Sequence, residues 1–188
     1  IIMHPKTYLV PIFFDEKRFV ADIKNGDPID VFRGALGFAN NHFNKRFYEG
    51  ENVHQLVNER AHFADLILRH AWNRFEWDAD ISLIAVGGYG RGELLPHSDI
   101  DLLLLFESER DIEQCQPLIQ AFITFLWDIN LKIGHSVRTP DTCAAEAKKD
   151  LTVITTLIEH RLITGSEQIQ ADMAYRIRPE KMWPSSEF

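Results

Sequence analysis

The chain has 188 residues, with 20 lysines and arginines against 28 aspartates and glutamates, and a formal net charge of -8. Its hydrophobic fraction of 45% is enough for an ordinary globular core and argues against intrinsic disorder. The acidic balance argues against nucleic-acid binding, because proteins that bind nucleic acids usually carry a basic face. A phosphate ligand stays open, since a few local cations and a metal can override the mean charge.

The cysteine content and the hydropathy pattern restrict the cellular setting. Cys115 and Cys143 are too few for a disulfide framework or a four-ligand zinc site, so a reduced, cytoplasmic setting is expected. The apolar run over residues 8–14 is interrupted by Pro11 and is too short to cross a bilayer, so no membrane association is expected. Neither end of the chain carries a terminal signal, and we interpret the chain as part of a longer protein.

Hydrophobic periodicity predicts a mixed arrangement of helices and strands. Residues 1–29 show no regular hydrophobic period. We interpret Pro28, which follows Asn25, Gly26 and Asp27, as a stop of regular secondary structure. Two helices over residues 30–50 and 53–75 are predicted to form an antiparallel pair. The further predicted elements are strands over residues 81–86, 102–106 and 131–137, and helices from 111 (with Pro117 in its first turn), over 140–149, over 152–165 and from 168. This order predicts an α+β fold in which helices cover a small mixed sheet.

A cluster of glycines follows the first predicted strand. Four of the ten glycines in the chain are Gly87, Gly88, Gly90 and Gly92. Bare backbone N–H groups in such a stretch can approach an anion closely and form a phosphate-binding concavity. Arg91 lies among them and is a planar donor suited to phosphate oxygens. The alternative is a tight hairpin between two strands, and the glycines alone leave both interpretations open.

Two aspartates begin the next predicted strand. Asp99 and Asp101 alternate onto one face, with Cα atoms roughly 6.5 Å apart. Two converging carboxylates repel each other unless a cation lies between them, and their hard oxygen ligands suit Mg²⁺. The alternative is a pair of solvated acids at an exposed strand end, which is less expected where the strand continues as four leucines. Together with the glycines, the pair indicates metal-assisted phosphoryl or nucleotidyl transfer.

These motifs resemble those of the polymerase-β-type nucleotidyltransferases, in which a Gly-Gly turn precedes Asp-x-Asp on the next strand. From about residue 30 onward, the chain more narrowly resembles the N-terminal catalytic domain of the bifunctional uridylyltransferase/uridylyl-removing enzymes, which modify the PII nitrogen-signalling protein. The strings that carry this resemblance lie at residues 87–94, 96–102, 134–139, 150–153, 159–162 and 183–185.

The resemblance implies a Mg²⁺-dependent transfer of UMP from UTP to a tyrosine of a PII-type protein, with release of pyrophosphate. Asp99 and Asp101 would be the catalytic residues and the metal ligands. The nucleotide and its phosphates would be bound by Gly87, Gly88, Tyr89, Gly90, Arg91, Gly92, Ser98 and Arg138. Residues 80–188 would form the nucleotidyltransferase core with its following helices, and residues 1–79 a helical region packed on it.

The chain departs from the wider superfamily because residues 131–135 lack the third carboxylate that many members carry on that strand. The residues that could supply its role are Asp128, Asp141, Glu159 and His135, while Lys132 could face the nucleotide. Two alternatives therefore stand: a transferase with another nucleotide or acceptor, and a catalytically inactive nucleotide-binding regulatory module. The eight histidines include no His-Asp dipeptide, so the hydrolase and glutamine-sensing functions of the resembled enzymes are not expected in these residues.

Overall fold

A computed structural model describes residues 11–182, and the string at 183–185 and the start of the run at 8–14 lie outside them. The helices are α1 (Glu16–Asn25), α2 (Pro28–Tyr48), α3 (Val53–Trp72), α4 (Gly87–Gly90), α5 (Glu109–Asp128), α6 (Pro140–Lys149), α7 (Leu151–Ile158), α8 (Glu167–Arg176) and α9 (Pro179–Met182). The strands are β1 (Ile81–Val86), β2 (Ile100–Phe106), β3 (Ile133–Arg138) and β4 (His160–Gly165). The predicted α+β class is confirmed. Within residues 11–182, every helix is too short or too polar to cross a bilayer.

The four strands form one mixed sheet in the order β3-β2-β1-β4. Strand β1 is antiparallel to both β2 and β4, whereas β2 and β3 are parallel. Alternate residues of β2 face opposite sides, so Leu102 and Leu104 pack with α2, α3 and α5, while Leu103 and Leu105 pack with α6, α7 and α8. The sheet is therefore a central layer whose strand β2 is anchored in a hydrophobic core on each face.

The helix boundaries follow recognisable capping signals. Asp27 caps α2 by accepting a hydrogen bond from the Ile29 N–H at 2.8 Å, and Pro28 is the first helical residue. The interpretation of Pro28 as a stop was therefore wrong, because proline lacks only an N–H that the first turn leaves unpaired anyway. Ser108 caps α5, which places Pro117 inside that helix and not in its first turn. The predicted start of α6 is confirmed, with Thr139 as its cap.

The predicted helix over residues 152–165 was wrong. Helix α7 ends at Ile158, and residues 160–165 form β4, which pairs with β1 at one edge of the sheet. The apolar residues that predicted one helix belong to two elements, α7 and β4. Each of these elements turns one side to the same core, so their apolar residues matched a helical period by chance. Helix α1, for which residues 1–29 showed no period, is a further element that the sequence did not predict.

Candidate functional site

The glycine turn, defined as residues 87–92, connects β1 to the segment that leads into β2. It contains the single-turn helix α4, with Gly87 at φ +60° and Gly92 at φ +80°. Both values lie in the left-handed region that glycine adopts without strain. The Arg91 N–H donates to the Gly87 carbonyl at 3.1 Å, and the Glu93 N–H donates to the Gly88 carbonyl at 3.2 Å. A first helical turn leaves its leading N–H groups without intrahelical partners, which makes them available to an anion.

The glycine turn packs closely on the chain that enters β4. A Cβ at Gly90 would overlap the carbonyl oxygen of Glu159 and would lie 2.8 Å from its carbonyl carbon. The Tyr89 side chain is buried, at 2% exposure, and points away from solvent. Of the residues predicted to bind phosphate, Tyr89 therefore offers only its backbone.

Asp101 lies between two glycines that make room for its carboxylate. It pairs in register with Gly134 of β3, where a Cβ would lie 2.6 Å from Asp101 Oδ1. On the other side, a Cβ at Gly87 would lie 3.8 Å from Asp101 Oδ2. Part of the Asp101 side chain reaches solvent, yet desolvation by the surrounding protein raises its pKa, and the charge of Asp99 raises that pKa further.

The two aspartates and the glycine turn share one open cleft of about 560 Å³. Ser98 also lines this cleft, and its hydroxyl donates to the Leu95 carbonyl at 2.8 Å. The first turns of α3 also line the cleft, through Val53, His54 and Val57. The cleft thus contains both predicted catalytic residues and four of the eight predicted phosphate-binding residues, which are Gly88, Tyr89, Arg91 and Ser98.

Arg91 is held at the cleft by two carboxylates. Its Nη1 atom lies 2.5 Å from Glu159 Oε2, and its Nε donates to Glu93 Oε2 at 3.2 Å. These hydrogen bonds, first to Glu93 and then to Glu159, raise the pKa of the Arg91 guanidinium. The side chain is half-exposed, so a phosphate could compete for it.

Arg138 is not brought to the aspartates. It pairs in register with Leu105, whereas Gly134 pairs with Asp101. Four residues along a strand separate the two positions by about 13 Å. Arg138 therefore does not line the cleft, and its predicted contact with the nucleotide has no support from this geometry.

The candidates for the missing third acid are scattered. Asp141 pairs with Arg176 at 2.5 Å, and the described bond of Asp128 is between its backbone carbonyl and Arg33. Of these three acids, only Glu159 contacts the glycine turn, through its backbone at Gly90 and its side chain at Arg91. The ring of His135 lies against Trp127, with centroids 6.1 Å apart. Lys132, which was predicted to be able to face the nucleotide, lines a second cavity that shares Ser98 with the cleft.

Comparison with known proteins decides the family. The family model described as a nucleotidyltransferase domain matches residues 68–163, a span that contains the glycine turn, both aspartates and β3. The chain belongs to this family. It is therefore a nucleotidyltransferase, in agreement with the chemistry that the paired aspartates and the glycines indicate.

Curated relatives of this nucleotidyltransferase carry a more specific name. Proteins called bifunctional uridylyltransferase/uridylyl-removing enzyme from Pseudomonas syringae pv. tomato, Ectopseudomonas mendocina and Stutzerimonas stutzeri are 48%, 49% and 47% identical to it over 181 residues. Each alignment covers 95% of the chain but only 20% of the relative. The chain therefore spans about a fifth of the length of the curated relatives it matches.

Sequence reasoning missed the residues that this nucleotidyltransferase places around its motifs. Gly134 lay within the string 134–139 but carried no assigned role, and only its pairing with Asp101 reveals the close approach. Val53, His54 and Val57 belong to a helix whose pattern indicated packing alone. Position 161 lay within the string 159–162 but carried no assigned role.

Proposed function

We propose that this nucleotidyltransferase transfers UMP from UTP to a tyrosine hydroxyl of a PII-type signalling protein in the cytoplasm, with Mg²⁺ as cofactor. The observation that carries the proposal is the placement of Asp101 between Gly87 and Gly134, in the same cleft as Asp99 and the glycine turn. The assignment of UMP as the transferred group rests on the shared name of relatives that are 47–49% identical over nearly the whole chain.

The acidic residues of the cleft fit a metal that arrives with a nucleotide. Within residues 11–182, no cluster of three or more histidine, cysteine or acidic side chains could hold a metal ion. Asp99 and Asp101 would supply two carboxylates, and Mg²⁺ is commonly held by one or two carboxylates together with substrate phosphates. Desolvation, followed by the charge of Asp99, raises the pKa of Asp101, and a bound cation would relieve both effects. When bound, the ion would neutralise charge on the leaving pyrophosphate.

The residues of the chain would then position the reactants. The leading N–H groups of the glycine turn would orient the triphosphate, and Arg91 would exchange a carboxylate partner for a phosphate oxygen. The phenolic oxygen of the acceptor forms a bond to the α-phosphorus as the bond from that phosphorus to the pyrophosphate oxygen breaks, and the phenol proton passes to solvent water. Positioning and charge stabilisation supply most of the rate enhancement in such transfers, and no covalent enzyme intermediate is required.

Transfer assays with each of the four labelled ribonucleoside triphosphates test this proposal. The full-length protein is incubated with a PII-type protein and Mg²⁺, and with an acceptor whose surface tyrosines are replaced by phenylalanine as the control. We expect label from UTP on the unmodified acceptor alone, and none after chelation of the metal. Equal transfer from another nucleotide would refute the uridylyl assignment, and no transfer from any nucleotide would favour an inactive binding module.

A further inference from the structure

A buried polar network lies behind the glycine turn, and the chemistry proposed above does not use it. The Tyr89 hydroxyl donates to Asp65 Oδ1 at 2.6 Å, and Asp65 is only 3% exposed on α3. The other carboxylate oxygen of Asp65 accepts a hydrogen bond from Arg161 Nη1 of β4. The three residues therefore join α3, the glycine turn and β4 across 96 residues of sequence.

Arg161 also binds the backbone of the glycine turn directly. Its Nη2 donates to the Tyr89 carbonyl at 3.1 Å, and its guanidinium carbon lies 5.4 Å from the centroid of the Tyr89 ring. Two residues earlier, the Glu159 backbone packs against Gly90. The start of β4 thus contacts the backbone of the turn, and Asp65 of α3 holds the Tyr89 side chain.

Burial and charge make these contacts suitable for holding the glycine turn rigidly. Burial, followed by the charge of Asp65, raises the pKa of the Tyr89 phenol well above its usual value, so the phenol stays a hydrogen-bond donor. Asp65 is almost fully buried, and removing a partner would leave its charge partly uncompensated. A segment with four glycines loses more backbone entropy on ordering than other sequences, so contacts that order it before the ligand arrives improve binding.

We propose that Asp65 and Arg161 are positioning residues that hold the glycine turn in the conformation that binds the triphosphate. The inference rests on the proposed function only in naming the ligand, since the ordering of the turn is a property of the protein alone. Neither residue lines the cleft, and both act through the Tyr89 hydroxyl and the Tyr89 carbonyl.

Steady-state kinetics of the full-length protein test the effect on the ligand. Asp65→Asn and Arg161→Gln are each expected to raise KM for UTP about tenfold with a smaller change in kcat, because a misplaced phosphate site weakens ground-state and transition-state binding alike. Arg161→Lys should fall between wild type and Arg161→Gln, since an ammonium keeps the charge but lacks the planar fork that serves both Asp65 and the Tyr89 carbonyl. The matched control is Glu59→Gln, which also removes a carboxylate of α3 from an arginine pair but lies outside the network. It should keep the wild-type KM.

Amide hydrogen exchange without nucleotide tests the positioning itself, independently of any reaction. In the folded Asp65→Asn and Arg161→Gln proteins, the amides of residues 87–92 should exchange faster, while Glu59→Gln leaves them unchanged. If Asp65→Asn fails to fold, Tyr89→Phe removes only the hydroxyl and should show the same change to a smaller extent. Wild-type exchange and wild-type KM in the folded variants would overturn the inference. The two proposals can also fail separately. If the variants exchange faster but the wild-type protein transfers no nucleotide, the positioning inference stands and the proposed function is refuted.

Discussion

Gly134 shows how one missing side chain shapes the site. Its Cα lies so close to Asp101 that an added Cβ would be 2.6 Å from Oδ1, and the atom in the way is the mobile end of a side chain. The carboxylate can rotate away without disturbing the backbone. We therefore expect a methyl group at this position to displace the Asp101 carboxylate and to leave the fold intact.

We expect Gly134→Ala to lower kcat/KM for nucleotidyl transfer by about 10²-fold, because displacing a catalytic group by about 1 Å has an effect of that size. The free energy of unfolding should change by less than about 1 kcal/mol. Transfer rates and urea unfolding curves of the same preparation measure both quantities. Gly34→Ala is the control, since a Cβ there meets nothing within 4 Å, and it should keep full activity. Wild-type activity in Gly134→Ala would contradict the role given to this close approach.

At the scale of elements, the contact between the glycine turn and the entry to β4 differs from the contact at Gly134. A Cβ at Gly90 would overlap the Glu159 carbonyl and would lie 3.1 Å from the Ala85 carbonyl oxygen. Both obstacles are backbone, which moves only if β1 and β4 move with it. We therefore expect a side chain at position 90 to affect mainly stability, and one at position 134 to affect mainly the proposed activity.

Gly90→Ala is expected to reduce the free energy of unfolding by about 1–3 kcal/mol, the usual effect of forcing extra atoms into a packed region. Denaturant unfolding of Gly90→Ala beside Gly134→Ala provides the comparison, with the larger loss expected at position 90. A Gly90→Ala protein as stable as wild type would show that the glycine turn is not clamped between β1 and β4.

The elements that the sequence predicted well are those with local signals. Strand β1 was predicted from its continuous apolar run, and α6 from the adjacent Thr139 and Pro140. Strand β4 was missed because its stability comes from pairing with β1, about 80 residues away in sequence, and its residues mix polar and apolar side chains. The same limit applies to the site. Asp99 and Asp101 form a local motif, whereas the contact of Asp65 with Arg161 spans 96 residues and leaves no pattern in the sequence.

For the whole molecule, the core on the α6–α8 face of the sheet contains an ionisable group that links stability to pH. Burial raises the pKa of the Cys143 thiol to about 12, from a usual value of 9.0, and Arg138 opposes this shift only in part. Between these values the folded protein keeps a proton that the unfolded chain releases. Stability therefore falls as pH rises through this window, by up to about 1.4 kcal/mol per pH unit.

The Cys143→Ala variant isolates this contribution from other groups that titrate in the same range. Its packing loss is the same at every pH, so the stability difference between wild type and variant should shrink between pH of about 8 and about 10, by about 1.4 kcal/mol. Guanidinium unfolding at the two pH values measures that difference. A difference that stays constant would mean that the thiol is not held protonated in the core.

The acidic character of the chain, which argues against nucleic-acid binding, includes two carboxylates that would favour a triphosphate ligand by holding its metal. Because strand β2 is anchored in a core on each face, a polar substitution at its exposed start should leave the fold intact. The Asp101→Asn protein should melt at or slightly above the wild-type temperature, since desolvation and Asp99 penalise the ionised carboxylate.

The most direct test of the account is the initial rate of UMP transfer by full-length Asp101→Asn in the presence of Mg²⁺. Asp128→Asn serves as the control, since this exposed residue contributes only its backbone carbonyl to the described contact with Arg33. We predict a rate at least about 10²-fold below wild type for Asp101→Asn, and a wild-type rate for Asp128→Asn. Transfer by a folded Asp101→Asn protein within about threefold of the wild-type rate would contradict the assignment of Asp101 to the catalytic site.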